Sequence, residues 1–145
     1  MSEVVFLSAQ PEDEPNVRKL LTASGLPDED IAPHLQHFIL AKAGAELVGC
    51  IGLETAGDYG LLRSLAVASS HRSRGLGAQL SALVEDQARG RGFRTLYLMT
   101  TTAAQYFERR GYEPVDRELA PGPIRTTRQF TSLCPSTAVL MKITL

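Results

Sequence analysis

Short apolar segments alternate with polar segments along the chain in a pattern that predicts a mixture of strands and helices. The segment after Pro11 has apolar residues at helical spacing until Gly25 ends it. Gly44 lies in a hairpin turn, where it supplies a positive φ. The elements predicted in the first half are strands at 4–7, 38–42, 47–53 and 61–67, helices at 11–23 and 27–35, and a turn at 55–59. The last three of these strands are predicted to form an antiparallel meander.

The second half predicts a crossover from the strand at 61–67 through a helix at 78–89 to a strand that begins at Thr95. Strands joined by a crossover helix pair in parallel. The remaining predicted elements are a helix at 103–110 that Gly111 ends, a strand at 113–117, a helical turn at 127–133 and a final strand at 138–145. We therefore predict one α/β domain over residues 1–145, with a mixed, mostly antiparallel twisted sheet of six to seven strands and flanking helices.

The segment at 61–83 carries the clearest chemical signal in the chain. An apolar strand ends at Val67, and Arg72, Gly75 and Gly77 then open an amphipathic helix. Glycine lets successive N–H groups point to one side without a Cβ in the way, and a helix N-terminus carries about half a positive charge. The segment therefore predicts a main-chain site for a diphosphate. A Walker-type loop is excluded because Ala78 stands where lysine is required, and a dinucleotide fingerprint needs a third glycine.

Two blocks of the sequence resemble the GCN5-related N-acetyltransferases, the GNAT superfamily. The first block is the order of arginine, two residues, glycine, one residue and glycine after a strand ending Leu-Ala-Val, which resembles the coenzyme A loop. The second is the segment 95–115, which resembles the strand, short helix and aromatic-Glu-x-x-Gly-aromatic signature of that superfamily. The residues that match this signature are Phe107, Glu108, Gly111 and Tyr112. The resemblance implies the GNAT fold, in which two central parallel strands splay apart, and acetyl-CoA as acetyl donor.

The resemblance also implies how the donor is held. Backbone groups of the strand at 65–67 would bind the pantetheine arm, N–H groups of the loop at 72–77 would bind the pyrophosphate, and one strand N–H would face the thioester oxygen. For Arg72 and Arg74 the alternative is a solvated loop position without a ligand. The cofactor-binding residues implied are Leu65, Ala66, Val67, Arg72, Ser73, Arg74, Gly75, Leu76, Gly77, Ala78, Thr102 and Phe107.

The catalytic acid and base are where this chain departs from the superfamily pattern. Phe107 stands where many relatives carry a tyrosine acid, and Leu61 stands where some carry a glutamate base. Tyr106 is the candidate acid, although it points about 100° away from Phe107 around the helix and packing is its alternative role. Glu54 is the candidate base from hairpin geometry. One alternative is that Glu54 is only an exposed carboxylate in a turn. Another is that water deprotonates the acceptor without a dedicated base.

A missing strong base favours an acceptor with an α-amino group. At pH 7 roughly 0.04% of lysine side chains are neutral, against roughly one tenth of peptide-like α-amines. An arginine on the acceptor's carboxylate would also orient a free amino acid. Arg63, Arg125 and Arg128 are the candidates for this contact. Arg63 has the residue parity of Leu65 and Val67, and an ion pair with a surface carboxylate is its alternative role.

The tail of the chain resembles a bacterial subgroup of arsenic-resistance N-acetyltransferases, which are similar to the acetyltransferase domain of N-acetylglutamate synthase. A Gln-Phe turn at Gln129 and a Leu-Cys-Pro step at Cys134 recur in that subgroup. The resemblance implies that residues 124–129, Phe130 and Cys134 form one wall of the acceptor pocket. It implies an amino acid or an analogue as acceptor, including arsenic- or phosphorus-bearing glutamate analogues.

Composition bounds the partners. The 145 residues are 43% hydrophobic and carry a net charge of −1, which argues against a nucleic-acid partner. No run reaches about 18 apolar residues and the N-terminus lacks signal-peptide features, so we expect a cytoplasmic protein without a membrane partner. Cys50 and Cys134 are expected to be free thiols, and their spacing from the histidines indicates no metal site.

Three functions remain open at this stage. The first is an acetyl-CoA-dependent N-acetyltransferase that acts by direct transfer on a small-molecule amine, an amino acid or its analogue. The second is the same chemistry on a protein, a peptide or an aminoglycoside. The third is a non-catalytic acyl-CoA-binding module, which Phe107 and Leu61 favour. A homodimer fits the superfamily, in which apolar C-terminal strands often pair across dimers.

Overall fold

The computed structural model describes residues 3–145. Residues 1 and 2 of the predicted domain lie outside the described residues. Seven strands form one sheet in the order β1-β2-β3-β4-β5-β7-β6. They are β1 (Val4–Ser8), β2 (Phe38–Ala43), β3 (Glu46–Ala56), β4 (Tyr59–Val67), β5 (Thr95–Thr100), β6 (Glu113–Val115) and β7 (Val139–Thr144). The pairing of β4 with β5 is parallel and the other pairings are antiparallel, which confirms the predicted mixed sheet.

Four α-helices and several shorter helical segments flank this sheet. The α-helices are α1 (Glu14–Ala23), α2 (Leu76–Gly90), α3 (Ala104–Arg109) and α4 (Gly122–Arg125). The shorter segments are 3₁₀ helices at Pro11–Asp13, Ala32–His37, Ser69–His71 and Arg117–Leu119, and a π-helix at Gln129–Leu133. None of the helices within residues 3–145 combines the length and the apolar character that crossing a membrane requires.

Three predicted elements differ from the structure. The helix expected at 27–35 is a 3₁₀ helix at Ala32–His37, because the carbonyls of Asp28 and Glu29 accept hydrogen bonds from Arg18 instead of from a following helical turn. The turn expected at 55–59 is only two residues long, since β3 continues to Ala56 and β4 starts at Tyr59. The strand expected at 113–117 ends at Val115, and α4 lies further along, between this strand and the helical turn expected at 127–133.

The sheet is covered on both faces by apolar helix surfaces. On one face Leu76, Leu80, Val84 and Ala88 of α2 follow the helical i, i+4 spacing and pack with residues of β3 and β4. On the other face Val17, Leu20 and Leu21 of α1 pack against β2 and β3. A third cluster joins Ile124 of α4 to Leu61 and Tyr97. Each fully buried leucine contributes about 1.5–3 kcal/mol to folding, so the two central strands are held firmly between these layers.

A β-bulge in β4 changes the face on which its side chains lie. Gly52 of β3 pairs with Arg63, whereas Cys50 pairs with Ala66, so β4 contains one extra residue between these pairs. Ser64 takes up the extra residue with a φ of 59°. Because paired residues share a face, Arg63 lies on the α1 side, with Ala66. The predicted parity of Arg63 with Leu65 and Val67 is therefore wrong.

The parallel strands β4 and β5 meet at one end and separate at the other. They pair only through Gly60 with Leu96 and Leu61 with Tyr97. Close approach at this end needs a glycine, because a Cβ on Gly60 would lie 2.6 Å from Leu96 Cδ2. Beyond these pairs both strands continue, to Val67 and Thr100, without pairing to each other. The two strands therefore enclose a V-shaped gap.

Candidate active site

A cavity of about 540 Å³ occupies this gap. Residues 62–67 of β4 form one wall and residues 98–103, from β5 and the turn after it, form the other. The segment after α1 (residues 24–27) and parts of the tail (129, 133–135 and 138) also line it. The cavity therefore has one end beside the loop before α2 and another end beneath the tail. Nothing in the sequence of residues 24–27 indicated this position.

The loop before α2 presents unpaired backbone N–H groups. Ser73 and Gly75 both have left-handed backbone conformations, with φ of 65° and 77°. The first backbone bond of the helix runs from the Gln79 N–H to the Gly75 carbonyl, at 3.1 Å. Within residues 3–145, no acceptor is recorded for the N–H groups of Leu76, Gly77 and Ala78. These donors, at the positive end of a 15-residue helix, form a cradle for an anion.

Backbone groups at the end of β4 also face the gap. The Ala68 N–H donates to the Val48 carbonyl at 2.8 Å, so the alternation of an antiparallel ladder turns the N–H and carbonyl of Val67 away from β3. The Val67 carbonyl accepts a hydrogen bond from Arg72 Nε at 3.0 Å, which ties the strand to the loop. The Val67 N–H is thus directed into the gap, and Arg72 itself lines the cavity.

The expected cofactor residues fall into two groups. Leu65, Ala66, Val67, Thr102 and Phe107 line the cavity together with Arg72. The remaining residues named from the sequence, Ser73 to Ala78, make up the loop and the first turn of α2.

Glu54 and Arg63 lie in one buried ion-pair cluster on the α1 face. Arg63 donates to both carboxylate oxygens of Asp30 and, at 2.8 Å, to Glu54 Oε1. His34 Nε2 lies 3.6 Å from Glu54 Oε1. Although burial raises the pKa of Asp30, its hydrogen bonds to Arg63 and the charge of Arg63 hold this pKa below its ordinary value. The guanidinium of Arg63 is thus already bound to carboxylates of the protein, and Asp30 is a partner that sequence reasoning missed.

The two other candidate arginines lie outside the cavity lining. Arg125 is exposed and donates to the Glu118 carbonyl at 3.4 Å. Arg128 is also exposed and pairs with Glu29 at 3.4 Å. The neighbouring Gln129, in contrast, is buried and lines the cavity.

Tyr106 and Phe107 point to different parts of the site. Phe107 lines the cavity and packs edge to face against Tyr112, with ring centroids 5.4 Å apart. The Tyr106 hydroxyl is buried, and no hydrogen-bond partner for it is found within residues 3–145. It lies 3.7 Å from the position that a Cβ on Gly77 would take, so it is next to the anion cradle. A Cβ on Gly77 would therefore only be in van der Waals contact with this hydroxyl.

A main-chain anion cradle beside two splayed parallel strands is the arrangement of an acyl-CoA-dependent transferase. The model of the acetyltransferase (GNAT) family matches residues 5–112, and the chain belongs to this family. An amino-acid acetyltransferase of Ectopseudomonas mendocina (strain ymp) is 33% identical over 95 residues, which are 64% of this chain and 22% of that relative. The chain thus spans only a small part of the length of that relative.

Solved structures share the fold. N-acetylglutamate synthase from Neisseria gonorrhoeae, complexed with coenzyme A and N-acetyl-glutamate, superimposes with a TM-score of 0.85 at 23% identity. The superposition covers 100% of this chain and 36% of the synthase chain. Rv2747 from Mycobacterium tuberculosis, in complex with CoA, superimposes with a TM-score of 0.82 at 18% identity, over 97% of this chain and 99% of the other. At these identities the likeness shows the fold alone.

Proposed function

We propose that this protein is an acetyl-CoA-dependent N-acetyltransferase that acetylates the α-amino group of an amino acid or an amino-acid analogue. The observation that carries the proposal is the cavity between β4 and β5, with unpaired N–H groups of Leu76, Gly77 and Ala78 beside it. The family match supports the transferase chemistry. The name of the relative from Ectopseudomonas mendocina supports an amino-acid acceptor.

Acetyl-CoA supplies an acetyl group already activated as a thioester, so positioning is most of what the protein must do. The cradle at residues 76–78 binds the diphosphate of the donor, and Arg72 adds a positive charge beside it. The Val67 N–H donates to the oxygen on which negative charge develops. Phe107 packs beside the reacting end and has no proton to give.

The cavity lining offers few side chains that could transfer a proton. The Glu54 carboxylate is bound to Arg63 and is not part of the cavity lining. Deprotonation of the acceptor by water is therefore the route we propose, which suits an α-amine because roughly a tenth of such groups are neutral at pH 7. The Tyr106 hydroxyl lies beside the anion cradle and Tyr106 is not part of the cavity lining, so we propose that water also protonates the leaving thiolate.

Calorimetry with acetyl-CoA followed by a thiol-release assay over a panel of amines tests the proposal. We expect saturable acetyl-CoA binding and thiol release with free amino acids, the panel including glutamate and its arsenic- and phosphorus-bearing analogues. Faster thiol release with a lysine peptide or an aminoglycoside would show that the proposed acceptor class is wrong, while the acetyltransferase chemistry would stand. Absence of acetyl-CoA binding would overturn the proposal altogether.

The second candidate is an acyl-CoA-binding module without turnover. Phe107 favours it, since this residue replaces a common proton donor, and so does the engagement of Glu54 by Arg63. In the same assay this module would bind acetyl-CoA with normal affinity and release thiol with no amine. Acetylated product detected by mass spectrometry with any amino acid rules it out.

A further inference from the structure

Gln129 is a buried polar residue at the tail end of the cavity. Only 7% of its surface is exposed, and it lines the cavity from the start of the π-helix at Gln129–Leu133. Its Oε1 accepts a hydrogen bond from Cys134 Sγ at 3.1 Å. For its Nε2, the residues from 3 to 145 provide no recorded acceptor. Nε2 is not among the fully buried unpartnered atoms of these residues, so it is open to the cavity and can donate a hydrogen bond to a ligand group there.

Cys134 holds the amide of Gln129 in one orientation. The Cys134 backbone N–H also donates to the Gln129 carbonyl, at 3.0 Å, so the two residues are joined twice across the π-helix. Burial raises the pKa of the Cys134 thiol, so the thiol keeps its proton at neutral pH and can donate it to Oε1. With Oε1 occupied in this way, Nε2 is the group left to face the cavity.

One cation near this end of the cavity has no carboxylate partner among the described residues. Arg63 is bound to Asp30 and Glu54, whereas no ion pair is recorded for Arg117 within residues 3–145, and its charge acts on the nearby Cys134 thiol. Arg117 is fixed there by a hydrogen bond to the Ala138 carbonyl at 3.1 Å and by its position 4.8 Å from the centre of the Phe130 ring. A carboxylate is the anionic group that an amino-acid acceptor offers.

We propose that Gln129 is an acceptor-binding residue, whose Nε2 donates a hydrogen bond to a carboxylate oxygen of the amino acid, and that Cys134 is a positioning residue for it. The inference rests on the proposed function, and it names how this site selects amino acids over other amines. Only binding is involved, since Gln129 lies at the opposite end of the cavity from the anion cradle and takes no part in proton transfer.

Paired acceptors test the assignment: L-glutamate, L-aspartate and L-alanine, each compared with its α-carboxamide. We expect Gln129→Ala to raise KM for the amino acids about 10-fold to 100-fold, as loss of a hydrogen bond to a charged group does, and to change KM for the carboxamides much less. Gln129→Glu should raise KM for the amino acids further, because it places a second carboxylate at the site. Values of kcat and the Kd for acetyl-CoA should stay near those of the unmodified protein.

Two further variants separate positioning from packing. Cys134→Ser keeps a donor for Gln129 Oε1 and should retain the amino-acid preference, whereas Cys134→Ala should weaken it while leaving the Kd for acetyl-CoA unchanged. Gln105→Ala serves as the matched control, because Gln105 is exposed on α3 and lies outside the cavity lining.

The failures of the two ideas are distinguishable. If the unmodified protein acetylates amino acids and the Gln129 variants keep their KM values for them, the role of Gln129 is wrong and the proposed function stands. If the unmodified protein binds acetyl-CoA but acetylates none of the amino acids, both are wrong. The Kd for acetyl-CoA reports correct folding of each variant.

Discussion

At the scale of single residues, Gly75 and Gly92 allow the cradle to be tested with stability held constant. Both have left-handed backbones, with φ of 77° and 87°, and a Cβ on either would meet no heavy atom within 4 Å. Gly75→Ala and Gly92→Ala should each cost about 1 kcal/mol of folding free energy. We expect only Gly75→Ala to raise the Kd for acetyl-CoA, as measured by calorimetry. Equal Kd values for the two variants would place the diphosphate elsewhere.

The hydroxyl of Tyr106 offers a second test at this scale. A buried hydroxyl without a partner destabilises a protein by about 1–3 kcal/mol, so Tyr106→Phe should raise the free energy of unfolding measured in urea. Because the hydroxyl lies beside the cradle and Tyr106 is not part of the cavity lining, this variant should keep its kcat. A kcat lowered about 100-fold or more at an unchanged Kd for acetyl-CoA would instead make Tyr106 the proton donor to the leaving thiolate. A stabilised variant with full kcat would assign Tyr106 to packing alone.

At the scale of elements, the bulge in β4 decides what each face of the strand presents. Ser64 adopts its φ of 59° where glycine or asparagine is usual, and its hydroxyl accepts a hydrogen bond from Arg63 Nε at 3.2 Å. Beyond the bulge the strand no longer pairs with β5 and its main chain lines the cavity. A local bend in one strand thus separates the ion-pair cluster from the donor-binding edge.

Substitution of Ser64 tests this role of the bulge. Ser64→Val should destabilise the protein by about 1–3 kcal/mol, because a β-branched residue is strained at positive φ, and should raise the KM for acetyl-CoA by distorting residues 65–67. Ser64→Gly is the control, since it relieves the strain and removes only the hydroxyl. Urea unfolding and steady-state kinetics measure the two effects. Equal behaviour of the two variants would contradict a conformational role for this position.

At the scale of the whole molecule, the Arg63 cluster joins parts of the chain that are distant in sequence. Arg63 of β4 is bound to Glu54 of β3 and to Asp30, 33 positions earlier. Removal of one partner from such a buried ion pair strongly destabilises the folded protein, because the remaining charge is left uncompensated. The cluster fixes the segment after α1 against the sheet, and residues 24–27 of that segment form one side of the cavity.

The same cluster predicts a pH dependence of stability. Because the pKa of Asp30 is lowered in the folded protein, its contribution is complete above the unfolded value of about 4 and is lost as the pH falls through the folded value. Asp30→Asn should therefore be less stable than the unmodified protein at pH 7 and should lose less stability between pH 5 and pH 2. Urea unfolding over this range measures it. Asp86→Asn is the control, since the Asp86 side chain is 75% exposed. A parallel loss in the Asp30 variant would contradict the assignment.

The fold and the loop before α2 were predictable because their signals are local. Helical spacing in α2, the glycines of the loop and the crossover to β5 each depend on residues close together in the chain, and the structure confirms the resulting mixed sheet with its parallel pair. The tail end of the cavity was harder to predict from the sequence. Gln129 directly follows Arg128 and lies four positions after Arg125. Both arginines are exposed, and only burial distinguishes Gln129 from them.

The sequence by itself determined that a glycine-containing loop follows an apolar strand and opens a helix, since glycine freedom and helix dipoles are properties of a short segment. Tertiary structure alone decided that Arg63 lies on the α1 face bound to Asp30 and Glu54, and that residues of the tail line the cavity beside β4. The physical reason is that one extra residue in a strand moves the side chains after it to the opposite face of the sheet. Partners far apart in the chain are selected by packing rather than by their spacing in the sequence.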